Sequence, residues 1–420
     1  MRILMFTDRF PPEIRSAAHL YHDLARGLQK RGHDVAVITA APFRYVARES
    51  QTASQRGWDD VDGVPTLRVK SFPAAGFNPI LRGFDQLALG LKFERVARKW
   101  PDADGLLVYS PPLPLANAAI RYARRFGSAV ILNVQDIYPQ TVVDLGLLKN
   151  RVAIRFAERL ERRAYQNASH IVVHSSGNKE LLTTARHVAA SKVSVIHNWV
   201  SEVHQTAADS DGFRSAFGLS DQFVVSYAGV MGYAQDLSTV INGATLLQTD
   251  PAITFLLVGE GALEPRWKQM VADRGLRNVR FLPMLQREEY SRLLSASDIC
   301  LIPLDPTLRT PVVPGKLQSI MAAGRPALAI VNNGSETSKL LQTSGAGVQV
   351  SPNDAAALSE TVAYLKREPA IRAEMGICGR QFASEHFSLA GALDAYEALF
   401  TRLISESRGR LKLEPTLQIQ

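Results

Sequence analysis

With 46% apolar residues, the 420-residue chain has ample material for full hydrophobic cores, and its length suits roughly two to three domains. A net charge of +8 fits acidic partners of several kinds, nucleic acid, anionic lipid or a phosphorylated substrate, without choosing among them. Cys300 and Cys378 are the only cysteines, which argues against a disulfide framework or a cysteine metal cluster and fits a reducing compartment.

The first segment reads strand, loop, helix, strand: Ile3 to Phe6, Thr7 to Arg15, Ser16 to about Arg31, and Val35 to Thr39, with Gly32 closing the helix. It begins with no basic-then-apolar leader, and no apolar run in the chain nears the roughly 18 residues needed to span a bilayer, so a cytoplasmic location is expected. The loop Asp8-Arg9-Phe10-Pro11-Pro12-Glu13-Ile14-Arg15 is not a G-x-G-x-x-G, so a bound NAD is not supported. Small residues Ser16, Ala17 and Ala18 at the helix start would let a substrate approach the backbone. Residues 41 to 100 are less regular, with a turn at Asp62-Gly63-Val64 and a strand from Pro65 to Val69. Regularity returns with a strand from Gly105 to Ser110, a helix from Leu115 to Phe126 and a strand from Ala129 to Val134. That strand empties into Gln135-Asp136-Ile137-Tyr138-Pro139-Gln140, a charged and aromatic loop at a carboxyl end, where open α/β sheets place their ligands. The alternative for Asp136 is that it caps the next helix.

Lys149 to Gln166 predicts a helix with Val152, Phe156, Leu160 and Ala164 on one face and Lys149, Arg151, Arg155, Arg159, Arg162 and Arg163 over the rest. Such a helix can lie on anionic lipid. Equally, Glu158 and Glu161 stand at helical spacing from Arg162, Arg155 and Arg163, as in a salt-bridged surface helix. Strands follow at Ile171 to His174 and Val193 to His197. Glu202 to Asp211 reads as a linker, because a second series opens at Phe223 to Ala228.

In that series Gly229-Val-Met-Gly232 leads to a helix from about Leu237. Thr254 to Val258 is a strand ending in Gly259-Glu260-Gly261, and Val279 to Leu282 is another. Ile299 to Leu304, a polar loop holding Arg309, a helix from Lys316 to Ala323 and a strand from Ala327 to Val331 make a β-loop-α-β unit. Pro314 and Gly315 start its helix, Gly324 and Pro326 end it, and Lys316 falls in the first turn. A cation there opposes the helix dipole, which a bound anion would offset. A solvated surface lysine is the competing reading. Val348 to Val350 and helices at Ala355 to Lys366, Ala370 to Phe382 and Ala390 to Ser405 complete the chain, with a loosely ordered tail after Gly409.

Six segments in this order, Phe-Pro-Pro-Glu with Gly-His-Asp-Val-Ala-Val-Ile-Thr, Val-Ile-His-Asn198, Tyr-Ala-Gly-Val-Met-Gly, Leu-Leu-Val-Gly-Glu-Gly, Asn-Val-Arg-Phe-Leu and Met-Ala-Ala-Gly-Arg-Pro, resemble the GT-B glycosyltransferases of family 4. The closest branch builds bacterial O-antigen and capsular polysaccharides and includes fucosamine-type amino-sugar transferases. The resemblance implies an α/β architecture of two Rossmann-like domains facing across a cleft: 1–202 for the acceptor, 212–388 for the donor, and a helix at 389–408 packing back on the first. It implies a retaining, metal-independent hexosyl- or N-acetylhexosaminyl-transferase with no cofactor, acting peripherally at the inner membrane face. A nucleotide-diphosphate sugar is the substrate, the acceptor is polyprenyl-diphosphate-linked or saccharide, an anionic membrane surface is a further partner, and nucleic acid is not one.

On that pattern Asp136 and Lys316 are catalytic. Gly229, Gly232, Gly259, Glu260, Gly261, Arg309, Gly315, Lys316 and Ser319 hold the donor, and Glu13, Arg15, Ser16, Gln135 and Tyr138 the acceptor, with Asp8 behind them. The chain departs from the family where its paired glutamates would stand (Pro311 and Ser319), where an arginine and a lysine grip the diphosphate (Val230 and Gln235), and where a histidine precedes the catalytic aspartate (Gln135). Two alternatives follow, a nucleotide-sugar epimerase or hydrolase on the same fold and a non-catalytic binding subunit. Asp102-Ala-Asp104 mimics a metal-binding D-x-D but precedes its strand, at the amino edge of the sheet. His33, His170 and His174 read as turn or core residues, without a second ligand at metal spacing.

Overall fold

The computed structural model describes residues 1–14, 16–42, 57–71, 79–100, 102–200 and 209–413. The chain divides into two compact units, Met1–His197 with Leu389–Gln420, and Asn198–Ser388.

The first unit runs β1 (Arg2–Thr7), α1 (Ser16–Lys30), β2 (Asp34–Ala40), β3 (Gly57–Val61), β4 (Val64–Val69), α2 (Pro79–Ala97), β5 (Gly105–Ser110), α3 (Leu113–Phe126), β6 (Ala129–Val134), α4 (Gln140–Asp144), α5 (Arg151–Asn167), β7 (His170–Val173), α6 (Ser176–Thr184) and β8 (Val193–Val195). Its strands lie in the order β3-β4-β2-β1-β5-β6-β7-β8, all parallel except β3. β1, β5 and β6 are buried and largely apolar because helices cover a parallel sheet on both faces. The order reverses between β1 and β5, so their carboxyl ends flank a switch point, the ordinary place for a ligand in such a sheet.

Residues 41 to 100 hold more structure than their pattern suggests. Asp62 and Gly63, at φ of 53° and 86°, make the two-residue turn that matches strand twist, with the Gly63 N–H donating to Asp60 Oδ1 at 2.7 Å. The turn joins β3 to β4, and α2 follows where no helix was expected.

The second unit runs α7 (Ser210–Ala216), β9 (Phe223–Ala228), α8 (Leu237–Leu246), β10 (Ile253–Val258), α9 (Glu264–Asp273), β11 (Val279–Leu282), α10 (Arg287–Ala296), β12 (Ile299–Pro303), α11 (Gly315–Ala322), β13 (Ala327–Ile330), α12 (Glu336–Ser344), β14 (Gly347–Val350), α13 (Ala355–Arg367) and α14 (Pro369–His386). Its sheet is wholly parallel in the order β11-β10-β9-β12-β13-β14, with the switch point between β9 and β12. The expected linker from Glu202 lies outside the described residues up to 208, and its last residues instead cap and begin α7, where Asp209 accepts from the Gly212 N–H.

The chain then returns to the first unit as α15 (Leu389–Leu413), so the segment after Gly409 is helical as far as 413. Arg31 meets Asp394 at 2.6 Å and Glu397 at 2.9 Å, and His33 meets Glu397 at 3.0 Å. Gly27 and Gly105 are glycines for a packing reason: a Cβ at either would come within 2.6 or 2.8 Å of Leu393 or Phe400.

Candidate active site

In the second unit the Gly229–Gly232 turn leaves the carboxyl end of β9, and the segment carrying Arg309 leaves that of β12. Lys316, the second residue of α11, folds its ammonium over the ring of Tyr227, 4.1 Å from the centroid. A Cβ on Gly229 would lie only 2.8 Å from Lys316 Nζ, so a side chain there would displace the ammonium. Tyr227 is fully buried and donates its hydroxyl to the Val230 carbonyl at 2.8 Å. No carboxylate or hydrogen-bond acceptor among the described residues pairs with Lys316, and burial alone lowers its pKa to about 7. Gly315 opens the helix after Pro314, which supplies no side-chain cap.

The neighbouring residues divide by role. A Cβ on Gly259 would meet the Gly229 carbonyl at 1.9 Å and one on Gly261 the Met231 carbonyl at 2.1 Å, so these glycines let two loops stack backbone on backbone. The Met231 N–H donating to Glu260 at 2.8 Å ties the loops together, while the Glu260 side chain stays exposed. Gln235, at the place of the family lysine, accepts from the Gly232 N–H at 3.1 Å and closes the turn on itself. Ser319 hydrogen-bonds Tyr290 on α10, and Arg309 is exposed.

In the first unit the loop after β1 is organised by Arg9. Its Nη1 donates to both oxygens of the buried Glu13 at 3.0 and 3.1 Å, and its Nε lies 3.3 Å from Asp8. Burial works against that charge, but Asp8 and Glu13 outweigh it and raise the guanidinium pKa further. Ser16 opens α1 and is exposed, and Arg15 lies outside the described residues.

After β6, Gln135 Nε2 donates to Asn133 Oδ1 at 2.8 Å. Asp136 caps nothing, since the residue preceding α4 is Pro139 and no side chain bonds the helix start. Its carboxylate has no hydrogen-bond partner among the described residues. The side chain keeps solvent access, yet desolvation by the protein around it raises its pKa above the ordinary aspartate value. Tyr138 is half-buried against the core.

Two sequence expectations are corrected on α5. Its buried face is Ala157, Glu161, Ala164 and Tyr165, while Val152 and Phe156 are 75% and 50% exposed among Arg151, Arg155, Arg159, Arg162 and Arg163. The expected pairs within the helix are absent among the described residues: Glu161 turns inward to Arg186 at 3.1 Å. Asp102 and Asp104 sit at the amino edge of the sheet beside a cavity of about 380 Å³, paired with Arg2 at 3.0 Å and Arg408 at 2.6 Å. His170 accepts or donates to Ser194 at 2.8 Å, and burial next to Arg402 lowers its pKa to about 4.

Sequence reasoning missed Arg9, Tyr227, Asn133 and Tyr396. Asn133 carried a signal, being a polar residue inside the apolar run Ala129 to Val134. Tyr227 and Tyr396 look like ordinary core aromatics until their neighbours are placed.

Residues 17–199 match the model of the glycosyl transferase 4-like domain and residues 222–368 that of glycosyl transferases group 1. A protein of Escherichia coli K12 named as a colanic acid biosynthesis glycosyl transferase, WcaI, is 28% identical over 387 residues, covering 85% of this chain and 90% of that protein. Among solved structures, sucrose-phosphate synthase from Thermosynechococcus elongatus superimposes with a TM-score of 0.77 at 16% identity over 97% of this chain and all of that one. Anabaena HepE, in complex with UDP-glucose, does so with a TM-score of 0.68 at 16% identity, covering 98% and 99%. With a glycosyltransferase domain model on each of its two parallel-sheet units, and whole-chain likeness to GT-B structures, the chain is a glycosyltransferase of the GT-B fold.

Proposed function

We propose that the protein transfers a sugar from a nucleotide-diphosphate donor held by the second unit to a polyprenyl-linked or saccharide acceptor held by the first, in the synthesis of a cell-surface polysaccharide. The observation that carries this reading is Lys316: an ammonium without a counter-ion, backed by an aromatic face and reached past a glycine, at the carboxyl ends of the two strands that flank a switch point. Cleaving the donor puts negative charge on the departing diphosphate, and a fixed cation aimed at that charge is the largest source of acceleration available to such a site. The first-turn N–H groups of α11 add to it, with Arg309 as a second cation. Asp136, unpaired and with its pKa raised by desolvation, orients the acceptor hydroxyl or the sugar. Retention of configuration, independence of metal and a hexosyl or N-acetylhexosaminyl donor follow the sequence resemblance.

Two likenesses support the setting. HepE binds UDP-glucose and WcaI is named for colanic acid synthesis, so a nucleotide sugar and a surface polysaccharide suit this chain. No helix among the described residues is long and apolar enough to cross a membrane. The exposed apolar and arginine stripe of α5 instead suits attachment to an anionic surface, where a lipid-linked acceptor would lie.

The test is a thermal-shift screen over nucleotide sugars, since a ligand at 100 times its dissociation constant adds about 2.7 kcal/mol of stability. Transfer of the sugar of the best binder to lipid extract is then measured. Release of free sugar irrespective of acceptor would mark a hydrolase, and binding with no turnover a non-catalytic subunit. Asp136→Asn should bind donor normally while transfer slows by about two orders of magnitude or more.

A further inference from the structure

Asn133 is 2% exposed, and every other residue of β6 is buried and apolar. A buried amide costs free energy unless its groups are paired, so its partners explain its presence. Asn133 Nδ2 donates to Tyr396 Oη at 2.7 Å, and its Oδ1 accepts from Gln135 Nε2 at 2.8 Å. Tyr396 stands on α15, which α1 and β6 hold in place, is 1% exposed, and burial keeps its phenol neutral. Tyr109 lies opposite Asn133 in the β5–β6 register and packs edge-on against Tyr21 at 5.2 Å. A three-residue hydrogen-bonded chain thus runs from the C-terminal helix to the loop that carries Asp136.

We propose that Tyr396 is a positioning residue for the acceptor-side loop: acting through Asn133, it fixes the rotamer of Gln135. Gln135 stands beside Asp136 in that loop, so fixing its amide fixes part of the polar lining offered to an acceptor. This assignment of a role to Gln135 rests on the function proposed above, but the chain itself can be tested without substrate.

The full-length protein is labelled with 15N-glutamine, and the Gln135 side-chain amide pair is identified by its loss in Gln135→Ala. Tyr396→Phe keeps the buried ring and removes only the hydroxyl. It should shift the Gln135 pair and speed its exchange with water by roughly two- to tenfold, the equivalent of one ordinary hydrogen bond. Asn133→Ala should shift the same pair, and adding Tyr396→Phe to it should change nothing further, because coupled residues are non-additive. A Gln135 signal unmoved by Tyr396→Phe, or fully additive shifts, would overturn the proposal and make Tyr396 a packing residue. Because the signal is read on the empty protein, an absence of sugar transfer with an intact chain would count against the proposed reaction alone.

Discussion

Lys316 carries its charge on weak terms, and pH exposes them. Its folded-state pKa of about 7 lies below its ordinary value of 10.5, so between those values the unfolded chain binds a proton that the folded chain does not. Stability from this group is therefore complete above 10.5 and lost as pH falls through about 7. Lys316→Met should raise the melting temperature of the empty protein at pH 6, with a gain that shrinks toward pH 10. Ligand binding should show the reverse. Wild-type affinity for a nucleoside diphosphate should fall from pH 7 to 9, with proton uptake seen by calorimetry in buffers of different ionisation enthalpy, while the Lys316→Met affinity stays flat and about ten- to hundredfold weaker. A flat wild-type profile would remove Lys316 from the phosphate site. Asp136 has the opposite sign. Its raised pKa means that its charge destabilises the folded state at neutral pH, so Asp136→Asn should melt no lower than wild type at pH 7, and its gain should vanish in acid. Both residues were legible in the sequence, Asp136 as a charge in a loop at a strand's carboxyl end and Lys316 as a cation in the first turn of a helix. Their surroundings were not, because the ring of Tyr227 and the turn at Gly229 reach Lys316 only through tertiary packing.

At the scale of the element, α5 shows what periodicity cannot say. Val152, Phe156, Leu160 and Ala164 do form one stripe, but a helix of this composition has two apolar stripes, and the docked one is Ala157, Ala164 and Tyr165 with Glu161 neutralised by Arg186. Small residues let the helix approach α3, and the larger Val152 and Phe156 are left outside. On anionic vesicles each arginine near the surface is worth about 1 kcal/mol and is screened by salt. Fully burying a phenylalanine or valine side chain is worth about 1.5–3 kcal/mol and is not screened. Sedimentation should therefore show binding that weakens but persists at high salt. Arg155, Arg159 and Arg163 changed together to Gln should remove most of the salt-sensitive part, and Val152→Ala with Phe156→Ala most of the remainder. Equal partition of the wild type to neutral and anionic vesicles would sink the idea. The link onward is physical: Arg186, which holds Glu161, also reaches Gln140 on α4 at 3.5 Å, just after the Asp136 loop. The β3–β4 hairpin failed differently, since Asp62-Gly63 announced its turn, but a strand containing Trp58, Asp59 and Asp60 has no alternation to read.

At the scale of the whole molecule, the chain order of two βα series was readable because buried parallel strands are largely apolar and their loops are punctuated by glycine and proline. Where the last helix belongs is a matter of complementary shape. Leu393, Tyr396, Leu399, Phe400, Leu403 and Ile404 are each at most 7% exposed, and Gly27 and Gly105 are hollows matched to Leu393 and Phe400. At about 1.5–3 kcal/mol for each buried side chain, taken as an upper estimate, these six account for on the order of 10 kcal/mol. That equals the whole stability of an ordinary domain, about 5–15 kcal/mol. Ending the chain after Ser388 should then abolish the cooperative melt of the first unit and leave that of the second, whose strands, helices and Lys316 site all lie within 198–388. Scanning calorimetry of the truncated protein should show one transition, still raised in temperature by a nucleoside diphosphate. Two retained transitions would mean that α15 is an accessory to the first unit's core. Loss of both would mean that the second unit depends on a folded first unit, and that the division of the chain seen in its packing is not a division in its folding.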